Sequence, residues 1–128
     1  MIFQSKTIHN NISGVLRGIG ADFPISTLPL LIDFFEDGFS KEVTEILISI
    51  LPIIEESDFF LLREPHRKKL YRLLYEDNKD LSQALLNFIS RLKLYEAVPF
   101  VIAMLKNKKL LHLNLHDEVL VCLEAITS

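Results

Sequence analysis

Apolar residues recur at helical spacing along almost the whole chain. Ile12, Val15, Leu16 and Ile19 form a first stripe, and Gly18 and Gly20 offer it a stop. Ser26 or Thr27 is placed to cap a second helix, with Pro29 in the first turn, where a missing N–H costs nothing. Leu30, Leu31, Phe34 and Phe35 carry its core face, and Gly38 ends it. Ser40 caps a third helix, with Val43, Ile46, Leu47, Ile50 and Leu51 facing inward, and Pro52 kinks or ends it. Pro65 opens the next, with a stripe of Leu70, Tyr71, Leu73, Leu74 and Tyr75. Asn78 or Asp80 starts another, carrying Leu81, Ala84, Leu85, Phe88, Ile89 and Leu92. Residues 96–106 form a sixth, with Pro99 near its start, and His116 or Asp117 begins a last helix through Val119, Cys122, Leu123 and Ile126. Only residues 111–115 alternate like a strand, and they are too short and isolated to be more than a loop or helical turn. The apolar residues 59–62 would either join the core, the favoured reading, or form an exposed patch of the kind partners use.

The segments also repeat. Residues 30–37, 70–77 and 100–107 superpose, and each is followed by an acidic residue, an apolar one and a second stripe: Glu42-Val43, Asp80-Leu81 and Glu118-Val119. A helix pair cannot cover its own apolar face, so such units stack on their neighbours. Residues 84–89, followed by Glu96-Ala97-Val98-Pro99 and apolar pairs ending in Leu105, resemble a HEAT repeat. The resemblance extends over residues 8–127, best over 81–106 and poorest over 52–74. It implies an all-α fold over residues 1–128 as a single domain. That fold would be a short right-handed α-α superhelix of the HEAT or armadillo kind, about three helix pairs plus a terminal helix. A compact helical bundle is the alternative, because the motif describes packing rather than chemistry.

Composition narrows the classes. Half the chain is apolar, enough for a filled core, and the net charge of −3 gives no general pull towards nucleic acid or membrane. No apolar run approaches the length of a membrane span, and residues 1–6 lack the basic start of a signal peptide. The lone Cys122 has no internal disulfide partner, which fits the cytoplasm. The charges are divided. Residues 1–60 hold three basic and nine acidic side chains, while residues 61–128 hold eleven basic and eight acidic. That division is either chance clustering on a solvated surface or a dipolar molecule that docks a charged partner or stacks on its own kind.

The resemblance also implies where a partner would sit, since HEAT-like proteins commonly bind on the concave face lined by the second helix of each pair. On residues 26–37 the helical wheel turns Ser26, Asp33, Glu36 and Asp37 outward. On residues 66–76 it exposes Lys68, Lys69, Arg72 and Glu76. On residues 96–107 only Glu96, Ala103 and Asn107 remain, so that helix is expected to be the most buried. Arg67 joins the densest charge run, residues 63–69 with Arg72. Cations at a helix start oppose its dipole, a small reason to suspect a phosphate, a nucleic acid or an acidic protein surface. The solvated-face reading stands beside it. Leu120 and Val121 on the last helix either pack back on the preceding unit or make an end-to-end contact between copies.

Few chemistries survive inspection. His112 and His116 are four apart but lack the glutamate of the HExxH pattern, so no metal site is expected. Cys122 sits on an apolar stripe and reads as core rather than nucleophile. The glycines at 14, 18 and 20 have no preceding strand and no Gly-Lys-Ser/Thr, so no phosphate loop is expected. Adjacent carboxylates such as Glu36/Asp37 diverge on a helix and form no dyad. Bilin lyases and one group of DNA glycosylases share HEAT-like repeats. This chain has neither the tryptophan nor the broad basic face of the latter, and offers no residue set for the former. The expectation is a non-catalytic module without cofactor that binds a protein partner, as a scaffold or a small inhibitor or immunity-type binder. The alternatives are a nucleic-acid-binding protein or a subunit of a HEAT-like lyase.

Overall fold

A computed structural model describes residues 24–38 and 40–128 of the chain. The helix expected over residues 12–19 lies outside them. The protein is all-α, and no strand occurs among the described residues. It divides into two compact units, Met1–Leu62 and Arg63–Ser128, and the boundary falls where the chain turns from acidic to basic.

In the first unit α1 (Pro24–Glu36) packs on α2 (Ser40–Ile50). Pro24 opens α1 two residues ahead of the expected cap, which leaves Pro29 inside the helix rather than in its first turn. The inward face shifts accordingly. Thr27, Leu28, Leu31 and Ile32 are buried, whereas Leu30 is exposed and Phe34 and Phe35 are half-buried. At the end of α1, Asp37 N–H donates to Asp33 O and Gly38 N–H to Phe35 O, and Gly38 reverses the chain at φ +101°. A side chain there meets no neighbour within 4 Å, so the constraint is the backbone alone. Gly38→Ala is therefore expected to cost about 1–2 kcal/mol, read as a lowered urea midpoint with an unchanged slope.

All five expected inward residues of the α2 stripe are buried, and Pro52 converts the chain to a 3-10 turn at Leu51–Ile53. A single helical turn, α3 (Glu56–Phe59), follows. The apolar run at 59–62 is split by it. Phe59 and Leu62 are buried, and Phe60 and Leu61 face solvent, with the Phe60 ring edge-on to Phe59 at 5.7 Å.

The second unit begins with α4 (Glu64–Arg72), extended by a 3-10 turn at Leu73–Tyr75. Then come α5 (Lys79–Leu92), a turn at Tyr95–Ala97, α6 (Val98–Lys106), a 3-10 segment at Lys108–Leu113 and α7 (His116–Thr127). Asn78 caps α5, its side-chain oxygen accepting from Leu81 N–H at 3.0 Å. Lys93 closes α5 in the left-handed conformation that glycine usually fills. Lys93 N–H donates to Ser90 O and Leu94 N–H to Ile89 O, a Schellman arrangement. Tertiary burial of Leu94 holds it in place.

Within this unit the Leu73–Tyr75 turn meets both α5 and α6, and α7 packs against both of those helices, so the four elements contact one another in a ring. Within the unit, α5 supplies the heart of the core, with Leu81, Ser82, Leu85, Leu86, Phe88, Ile89 and Leu92 all buried. The expectation that residues 96–107 are the most buried is overturned. Only Val101 and Met104 of α6 are buried, and Ile102 is 37 % exposed. α6 meets α7, the Leu73–Tyr75 turn and the 3-10 segments that flank it, and the apolar side that carries Ile102 stays exposed among the described residues.

Candidate interaction surface

The residues marked as a contact surface fall on both units. Asp33, Glu36 and Asp37 belong to the first, where all three are exposed along the last turn and stop of α1. The basic residues and Glu76 belong to the second. Lys68 and Arg72, one helical turn apart, stand on the exposed face of α4. Lys69 lies half-buried on its flank, and Glu76 is exposed just beyond the 3-10 turn. Lys68 Nζ lies 2.7 Å from Glu64 Oε1, so part of its charge is answered within the helix, and the same contact holds the Glu64 carboxyl below its ordinary range. The helix also ends sooner than its sequence suggests. With Arg72 as its final residue, Lys69 and Arg72 occupy the last turn and Glu64 the first, an arrangement that suits the dipole. The expected misplacement of cations is therefore reduced to Arg63 at the N-cap and Arg67 in the first turn, the latter paired with Glu96.

Arg67 has a different job from its neighbours. It points along α4 beside Tyr71, and both reach Glu96, which stands in the turn before α6. Arg67 Nε donates to Glu96 Oε1 at 2.8 Å, Arg67 Nη2 to Glu96 Oε2 at 3.4 Å, and Tyr71 O–H to Oε1 at 2.6 Å. Tyr71 is fully buried, and its ring lies 5.4 Å from that of Phe100. Tyr75 also stacks on Phe100, with ring centroids 6.5 Å apart, and donates its hydroxyl to Phe100 O at 3.1 Å. Partial burial pushes the Glu96 carboxyl up, but the hydrogen bonds from Arg67 and Tyr71 outweigh it and hold the group below its usual range. The bond to Glu96 raises Arg67. Burial, then the bond to Glu96, raise Tyr71. The glutamate that opens the Glu-Ala-Val-Pro motif thus ties the start of α6 to α4. Arg67 and Tyr71 are four residues apart and so share a face, which was the available sign that this arginine turns towards the core edge. Its partner, 29 residues on, carries no such sign.

The histidines are separated by structure. His112 lies in the 3-10 segment and His116 opens α7, with Asn114 in the left-handed region between them, so their four-residue spacing is not helical. His112 Nε2 instead meets Asp77 Oδ1 at 2.7 Å. Among the described residues no three His, Cys, Asp or Glu side chains converge as a metal site. Cys122 is buried, and burial raises its thiol. Leu120 and Val121 are both exposed on α7. No helix among the described residues is long and apolar enough to cross a membrane.

No family model, no curated protein and no solved structure matches the chain.

Proposed function

We propose that this chain is a non-catalytic interaction module of HEAT-like helix pairs that holds a protein partner, and that it works in the cytoplasm. The observation that carries the reading is the exposure of Lys68 and Arg72 on one face of α4, in an all-helical unit whose helices pack on one another. Layered helices stacked by repetition offer one face of a row of helices as an extended binding surface. In such an arrangement the exposed face of α4 that carries Lys68 and Arg72 would belong to that surface. The acidic strip on α1 is the corresponding surface of the first unit.

The test is a native pull-down with the wild type and a Lys68→Glu/Lys69→Glu/Arg72→Glu variant of matched circular dichroism. A protein partner retained by the wild type and lost from the variant supports the reading. A partner held equally by both sinks this choice of surface. Loss of binding that steepens with salt and follows added nucleic acid would replace the protein partner with a phosphate backbone.

A further inference from the structure

We propose that the C-terminal end of the second unit is a self-association surface, on which a second copy docks by a two-fold contact that seats Leu111 of each copy in the other's cleft. A two-fold interface joins a patch to itself, so the patch must carry knob and hole together, and charges of both signs. This end carries both. The hole is a cleft of about 190 Å³ between α6, the 3-10 segment and α7, lined by Met104, Leu110, Leu115, His116 and Val119 with Leu111 at its rim. The knob is Leu111 itself, 66 % exposed, with Leu120 on the neighbouring helix 45 % exposed.

Charges of both signs lie on the elements that carry these apolar groups. Lys106, Lys108 and Lys109 stand exposed at the end of α6 and along the 3-10 segment. Asp117 and Glu124 are exposed on α7, spaced three before and four after Leu120 and so on its face. Two-fold apposition sets the lysine rim of one copy against the acidic rim of the other. A partner of a single charge sign would leave one of the rims unanswered, which favours a second copy as the occupant. This contact does not involve the α4 ridge and stands or falls separately from it.

The test is sedimentation equilibrium of the full chain from micromolar to millimolar concentration. The wild type is expected to dimerise. Lys108→Glu/Lys109→Glu and Glu124→Lys should each weaken the dimer about tenfold or more, because each sets like charges across the two-fold axis. Mixed together, the two variants should pair with one another, since both cross-contacts are then of opposite sign. Leu111→Ser should abolish the dimer, with no change in melting temperature at dilutions where the wild type is itself monomeric. A wild type that stays monomeric throughout overturns the proposal and leaves the cleft to another kind of occupant. A dimer indifferent to both charge variants, or variants that fail to pair when mixed, overturns it equally.

Discussion

Tyr71→Ala is expected to destabilise the second unit by about 3–5 kcal/mol, the range for emptying a large buried aromatic site. Tyr71→Phe should cost about 1–3 kcal/mol, the scale of one hydrogen bond to a charged group. The difference arises because the ring is buried against Phe100 while the hydroxyl donates to Glu96. In the phenylalanine variant the carboxylate keeps its bond to Arg67. Two pH limits follow. Glu96 is held below its unfolded value of 4.5, so its contribution is present above that pH and is lost as pH falls through the lower folded value. Tyr71 is raised above its unfolded value of 10.0, so its contribution is present below that pH and is lost as pH rises towards the higher folded value. Thermal unfolding followed by circular dichroism should therefore show an acid limb below about pH 4.5 that Glu96→Gln flattens. It should also show an alkaline limb above about pH 10 that Tyr71→Phe flattens. An acid limb unchanged in Glu96→Gln would remove Glu96 from any role in holding α6 to α4.

What the sequence discloses and what it conceals divide along a physical line. A stripe with a single dominant face is legible. Val43, Ile46, Leu47, Ile50 and Leu51 all lie where their spacing puts them. So do Leu81, Leu85, Phe88, Ile89 and Leu92, because helical periodicity and a good cap at Asn78 agree. A segment apolar on every side is not legible. In α1, where Leu30, Leu31 and Ile32 are consecutive, a start two residues earlier rotates the buried face onto Leu28 and Ile32. In α6 apolarity exceeds the area its neighbours can cover, so Ile102 faces solvent. The candidate surface was half legible for a related reason. Charge runs locate exposed helix, and Lys68 and Arg72 are indeed exposed. An ion pair across 29 residues needs the third dimension, so Arg67 looked like its neighbours until Glu96 was placed beside it.

Leu85→Ala should cost about 2–5 kcal/mol, whereas Ile102→Ala should cost under about 1 kcal/mol. The two residues are both large, apolar and helical, and they differ in what covers them. Leu85 is fully buried on α5, the helix that meets both α7 and the Leu73–Tyr75 turn, so its truncation leaves a cavity that three elements would have to close. Ile102 keeps over a third of its surface in water before any mutation, and a shortened side chain there leaves no void to fill. Urea unfolding of the two variants against the wild type reads the contrast directly, as a large shift of midpoint for one and a small one for the other. Similar losses at the two sites would mean that the outer side of α6 is covered in solution. The surface available to a partner would then have to be sought elsewhere on α4 and α7.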